Sequence, residues 1–176
     1  MLHPKQHSYI EKFVGGTAFQ AFLSPQDYHR WHSPITGEVI SAEIVEGTYY
    51  AVLPDKGVYD DEEEIDPRGA LIRSQPWLTA NATRAVFVIK PKNPWMDYVC
   101  FIGVGMAEVS SCDITVHAGD NVDAGQELGM FHFGGSSYVV ICGPYSRVRW
   151  MTEEGVVQKG KHIHLNKAIG VSVAQG

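Results

Sequence analysis

The sequence is short of cysteine, of basic residues and of long apolar runs. It has three cysteines in 176 residues, an odd number with none in a CxxC pair, which argues against a disulfide framework and a structural zinc site. Lys and Arg total 14 against 20 Asp and Glu, so the chain offers no basic surface for nucleic acid. No apolar run approaches the roughly 20 residues of a membrane-spanning helix. We therefore predict a soluble, cytoplasmic protein whose cysteines are small buried apolar residues.

Apolar residues also fail to repeat with the 3.6-residue period of a helix over any useful length. The chain instead has short runs rich in β-branched and aromatic residues, separated by Gly and Pro. This pattern predicts a mainly β fold of many short strands, arranged as a barrel or sandwich. We expect residues 1–12 to be a flexible lead-in and residues 13–176 to form a single domain. The predicted strand regions are residues 13–25, 35–54, 83–90, a strand pair in 98–109, and 114–143.

Residues 55–76 interrupt this pattern with a run of carboxylates. We interpret the segment as a solvated loop. A divalent-metal site is the weaker alternative, because carboxylates bunched consecutively do not converge on one ion. The acidic residues are Asp60, Asp61, Glu62, Glu63, Glu64 and Asp66.

Two short motifs could carry chemistry. DYHRWHSP (27–34) places Asp27, His29 and His32 close together between prolines, which puts two proton carriers on one stretch. Surface histidines on a connecting strand are the alternative, and HxxH without further spaced ligands is a poor metal site. FGGSSY (133–138) is a glycine-rich turn followed by serines. Alone it is an ordinary tight turn, and it lacks the lysine and the following helix of a phosphate-binding loop.

Together these motifs resemble a known family. LSPQDYHRWHSPITGEV (23–39) resembles the histidine motif of the phosphatidylserine decarboxylases, and GQELGMFHFGGSSYVV (125–140) resembles their glycine-serine processing motif. NATRAVFVI (81–89) occupies the place of a family strand between them. The resemblance is strongest to the fungal branch, which includes decarboxylases of free aromatic amino acids. It implies a decarboxylase-like β barrel or sandwich whose C-terminal part is similar to a barrel-sandwich.

The resemblance implies that the chain is a proenzyme that cleaves itself. Ser136 would attack the carbonyl of Gly135, with His32 as the general base. Gly134, Ser137 and Asp27 would support the site. The products would be a β chain, residues 1–135, and an α chain, residues 136–176, that begins with a pyruvoyl group made from Ser136.

The resemblance also implies the reaction. The substrate amine would form a Schiff base with the pyruvoyl group, whose carbonyl accepts electrons as CO₂ leaves. His29 would assist decarboxylation and reprotonation. The expected substrate is phosphatidylserine or an aromatic amino acid such as tryptophan, with no metal required. Peripheral membrane contact and a homodimer are further expectations.

One departure from the family pattern bears on self-cleavage. The family uses an additional aspartate upstream of the histidine motif, whereas none of the 26 residues before Asp27 is Asp. We therefore expect either that another group substitutes or that the chain is a truncated, uncut and non-catalytic member. VHAGDNVDAGQELG (116–129) also resembles the turn of biotinyl and lipoyl carrier domains. The chain has no exposed lysine turn of the kind those domains modify, which disfavours a carrier.

Overall fold

The computed structural model describes residues 7–24, 26–49, 69–106, 111–132 and 136–173. Within these ranges the chain is mainly β, as predicted, and the paired strands run antiparallel. The helices are α1 (His7–Ile10) and α2 (Gly69–Asn81), and short 3-10 turns cover Glu11–Phe13 and Pro144–Ser146. The strands are β1 (Thr17–Leu23), β2 (Arg30–His32), β3 (Gly37–Val45), β4 (Arg84–Pro91), β5 (Val99–Gly105), β6 (Ser111–Ile114), β7 (Asn121–Val122), β8 (Glu127–His132), β9 (Ser136–Cys142), β10 (Val148–Thr152), β11 (Gly155–Val156) and β12 (Gly170–Ser172).

Six strands form the main sheet, in the order β1-β9-β5-β4-β3-β7. Two three-stranded sheets accompany it, in the orders β2-β8-β6 and β11-β10-β12. These sheets are open in the part of the chain that the structure describes, so the arrangement is a sandwich rather than a closed barrel. No helix among the described residues is long and apolar enough to cross a bilayer.

The two faces of the main sheet bury different partners. Successive side chains of a strand alternate between faces, so Val99 and Phe101 point one way and Cys100 and Ile102 the other. The first face packs against buried residues of β2 and β8, notably Trp31. The second face packs against Leu78 of α2 and against Ala82, which directly follows the helix. This division matters because consecutive residues of β9 face these two environments in turn.

The helix α2 contradicts the prediction that residues 55–76 are a loop, because it begins at Gly69. Its buried side chains include Ser74, Gln75 and Thr79. Polar residues thus occupy core-facing positions at which an amphipathic helix normally has apolar residues. The 3.6-residue apolar period is therefore missing although the helix is present. The acidic run lies outside the described residues.

Two smaller expectations are also corrected by the described residues. The region 98–109 contributes the single strand β5, not a strand pair, up to Met106. Residues 7–12 of the predicted lead-in form α1 and the start of the 3-10 turn Glu11–Phe13, and the first strand begins at Thr17 where Phe13 was expected.

The cysteines are free; Cys100 and Cys142 are buried as predicted, whereas Cys112 is only partly buried. Burial raises the pKa of the Cys100 thiol to about 12 and that of Cys142 to about 11, because an apolar interior disfavours the thiolate. Both side chains are therefore neutral at physiological pH. No group of three or more potential metal ligands occurs among the described residues.

Gly103 provides the space in which the Trp31 indole lies. A Cβ atom at Gly103 would be 2.7 Å from Trp31 Cε2, and Trp31 is only 2% exposed, so the ring cannot swing out freely. We expect Gly103→Ala to lower the free energy of unfolding by about 1–3 kcal/mol through overpacking. Urea unfolding measures this loss.

The matched control for Gly103→Ala is the double variant with Trp31→Phe. The smaller phenylalanine ring leaves room for the new methyl group, so the double variant should lose less stability than the sum of the two single variants. Strict additivity of the two losses would contradict the close approach of Gly103 to Trp31.

Candidate functional site

Ser136 is the first residue of β9, an interior strand of the main sheet. It pairs with Leu23 of β1 on one side and with Gly105 of β5 on the other. Its side chain is 0% exposed. The predicted residues Gly134 and Gly135 lie outside the described residues. A serine hydroxyl is thus held rigidly, away from bulk water, at the position where the processing motif predicts the nucleophile.

The face of the sheet that carries Ser136 is apolar and aromatic. Tyr138, two residues further along the same face of β9, stacks on Phe101 with ring centroids 5.7 Å apart. Burial raises the pKa of the Tyr138 phenol, so it stays neutral. Trp31 and Phe131 close the same core in an edge-to-face pair. Hydrogen bonds to Ser136 are strengthened in such surroundings because little water competes for them.

His29, just before β2, lies against Ser136. Its Nδ1 is 3.1 Å from Ser136 Oγ, and its Nε2 is 3.1 Å from the backbone oxygen of Ser24. A carbonyl oxygen only accepts hydrogen bonds, so Nε2 carries the ring proton and donates it to Ser24. In the neutral ring Nδ1 then has the lone pair and accepts the hydroxyl proton of Ser136. The Ser136 hydroxyl, the His29 ring and the Ser24 carbonyl therefore form one hydrogen-bonded series of nucleophile, base and orienting group.

Asp27 supports this arrangement indirectly. Its carboxylate accepts a hydrogen bond of 2.7 Å from the Ser24 backbone N–H, and its own N–H donates to the Ser24 oxygen at 2.9 Å. These two hydrogen bonds close a turn that fixes the Ser24 carbonyl, to which His29 Nε2 donates. Asp27 thus holds the orienting group of His29 in place through Ser24.

His32 does not make the contact with Ser136 that a general base requires. Its Nδ1 donates to the backbone oxygen of Gly125 at 2.7 Å, and its Nε2 accepts from the Tyr28 hydroxyl at 2.8 Å. The tyrosine ring also stacks on the imidazole, with centroids 5.5 Å apart. In this structure His29, and not His32, lies against Ser136, whereas the family resemblance implies His32 as the general base.

Ser137 points to the opposite face of the sheet, toward α2. It is 1% exposed, and its hydroxyl oxygen is 3.5 Å from Gln20 Nε2. Sequence reasoning missed Gln20, which stands in an ordinary strand pattern. It also missed Ser24, because a backbone carbonyl leaves no signature in a side-chain motif.

The sequence is similar to those of known proteins over most of its length. The profile of the family described as phosphatidylserine decarboxylase matches residues 1–171. The chain is 50% identical over 168 residues to decarboxylase iboD of Amanita muscaria, covering 94% of this chain and 47% of that protein. It is 33% identical to the L-tryptophan decarboxylase of Psilocybe cubensis, covering 92% and 36%. It is 35% identical to phosphatidylserine decarboxylase proenzyme 2 of Saccharomyces cerevisiae, covering 68% and 9%. The chain thus spans half or less of the length of these relatives.

Proposed function

The chain belongs to the phosphatidylserine decarboxylase family, and on that premise we propose that it is a pyruvoyl-dependent decarboxylase that makes its prosthetic group from Ser136. The observation that carries the proposal is the 3.1 Å contact between His29 Nδ1 and the buried Ser136 Oγ. A serine hydroxyl is a weak nucleophile until an adjacent base removes its proton. This pair supplies that activation in front of the predicted cleavage point.

In the proposed self-cleavage His29 accepts a proton from Ser136 and then passes it on. Nδ1 takes the hydroxyl proton as Ser136 Oγ bonds to the carbonyl carbon of Gly135. The proton then passes to the Ser136 nitrogen as the peptide C–N bond breaks, which leaves an ester. β-Elimination then removes the Cα proton of residue 136 to a base and breaks the Cβ–Oγ bond, which splits the chain. Oγ leaves as part of the new C-terminal carboxylate of Gly135, and residue 136 becomes a dehydroalanine. Hydrolysis finally releases ammonia and leaves the pyruvoyl group at the start of residues 136–176.

The surroundings of Ser136 fit such a group. The position is fully buried and is held by strands on both sides, so a small carbonyl group formed there stays fixed and dry. A pyruvoyl group supplies an electron-accepting carbonyl that stabilises the carbanion left by CO₂. His29 remains beside it, with Nε2 anchored on Ser24, as the residue that can hold and return a proton.

The Ser24 carbonyl takes the orienting role for which the family uses an additional aspartate. A base works well when a third group fixes its tautomer and its ring plane. The hydrogen bond from His29 Nε2 to Ser24 does both, within a turn closed by Asp27. This supports self-cleavage with the residues that the structure describes.

We propose a free amino acid as the substrate, with L-tryptophan the first to test. The support is the coverage of the relatives: an L-tryptophan decarboxylase matches 92% of this chain, and a phosphatidylserine decarboxylase proenzyme 68%. CO₂ release from tryptophan, other amino acids and phosphatidylserine vesicles, measured in parallel, should be fastest with a free amino acid. Release from the vesicles alone would contradict this choice.

The experiment that tests the proposed function is an intact mass measurement of the 176-residue chain. We expect two fragments, separated between Gly135 and Ser136, with the second fragment blocked to N-terminal sequencing. Under native conditions they should elute together, because β9 is paired with β1 and β5 along its whole length. A single uncut species would overturn self-processing and favour the non-catalytic alternative.

A further inference from the structure

The buried side of α2 is polar at the point where it meets the end of β9. Ser74 and Thr79 are each 1% exposed and Gln75 is 8% exposed. Burying polar groups costs free energy unless they form hydrogen bonds, so such a face needs partners on the sheet. Gln20, from β1, provides one.

The amide of Gln20 is oriented by α2. Its Nε2 lies 3.0 Å from Thr79 Oγ1 and 3.3 Å from Gln75 Oε1. The Thr79 hydroxyl donates its own proton to the Gln75 backbone oxygen at 2.6 Å, so its oxygen can only accept from Gln20. The nitrogen of Gln20, not its oxygen, therefore faces this cluster.

The same nitrogen reaches Ser137. Gln20 Nε2 is 3.5 Å from Ser137 Oγ, on the face of the sheet opposite to His29. Ser137 directly follows the reacting residue, and its side chain and that of Ser136 point to opposite faces. His29 on one face and Gln20 on the other thus contact the two residues that the 136–137 peptide bond joins.

We propose that Gln20 is a positioning residue for self-cleavage. It holds Ser137, and with it the peptide group between residues 136 and 137, from the α2 side while His29 acts from the other. Gln75 and Thr79 fix the direction of the Gln20 amide. Ser136 and Ser137 are joined by one peptide group at the start of β9, so an anchor on Ser137 limits the rotation of Ser136. The inference rests on the proposed function.

The test compares cleavage rates by pulse-chase in cell-free synthesis of the full chain. Gln20→Leu keeps the bulk of the side chain and removes the donor, and we expect it to slow cleavage about 10- to 100-fold, the scale of a small misplacement of reacting groups. Thr79→Val should slow cleavage less, and should add nothing in the Gln20→Leu background because it acts through Gln20. Thr79→Ser, which keeps the acceptor oxygen, should cleave close to the wild-type rate.

The matched control is Cys100→Ala, a destabilising change on the same face of the sheet but far along β9 from Ser137, since Cys100 pairs with Ile141. Its cleavage rate should remain close to that of the wild type. Equal slowing of Cys100→Ala and Gln20→Leu would reduce Gln20 to a stabilising residue and overturn the inference. A wild-type rate in Gln20→Leu would overturn it while leaving the proposed function intact. An uncut wild-type chain would overturn both.

If Gln20→Leu does not fold, the comparison of Thr79→Val with Thr79→Ser tests the inference. Thr79→Val slower than Thr79→Ser supports the inference, because both variants keep the helix and differ at the acceptor. Equal cleavage rates in the two threonine variants overturn it.

Discussion

We expect the replacement of Ser136 with alanine to abolish both chain cleavage and CO₂ release. The variant lacks the oxygen that attacks the preceding carbonyl and the atoms from which the pyruvoyl group forms. The adjacent hydroxyl of Ser137 cannot substitute, because it faces α2 on the opposite side of the sheet from His29. Intact mass and CO₂ release, measured on the same preparation, check both losses.

Ser137→Ala is the matched control for that experiment. Ser136 and Ser137 are adjacent and almost equally buried, at 0% and 1% exposure, so either substitution removes one hydroxyl from the interior. We expect Ser137→Ala to slow cleavage without abolishing it, and the mature enzyme to retain measurable activity. Decarboxylation in the uncut Ser136→Ala chain would contradict the pyruvoyl assignment.

The central strands were predictable because they are short apolar runs, rich in β-branched residues, that are buried over nearly their whole length. The predicted region 83–90 became β4, and the apolar stretch after residue 97 became β5, since both sequences match a buried sheet. The helix α2 was not predictable from periodicity. On its buried face Gln75 and Thr79 contact Gln20 of β1, and Gln75 also contacts Met106, just after β5. These partners are far away in sequence. A polar interface of this kind has no signature in a single segment.

The site was predictable in its residues but not in the choice between its histidines. His32 lies in β2 and His29 directly precedes that strand, while Ser136 and Ser137 are the first two residues of β9. Side chains an odd number of positions apart in an extended segment face opposite sides. His29 and His32 are three positions apart, so they are not expected to contact the same group. Which of them meets Ser136 depends on the register of β2 against β8, which shifts between Trp31 and His32. Register of this kind is a tertiary property.

The choice between the histidines can be measured directly. We expect His29→Ala to slow cleavage about 10²- to 10⁴-fold, the usual contribution of a positioned general base. Its Nδ1 is the acceptor 3.1 Å from Ser136 Oγ, and its tautomer is fixed by Ser24. Pulse-chase synthesis followed by mass measurement gives the rate.

His32→Ala is the matched variant for His29→Ala, because each histidine makes two hydrogen bonds through its ring nitrogens. Loss of His32 removes contacts to Tyr28 and Gly125 and should cost stability while leaving most of the cleavage rate. The opposite result, with His32→Ala uncut and His29→Ala cut but unable to release CO₂, would restore the roles that the family resemblance implies. Since each residue then has its own distinct phenotype, one pair of variants separates proton transfer during maturation from proton transfer during decarboxylation.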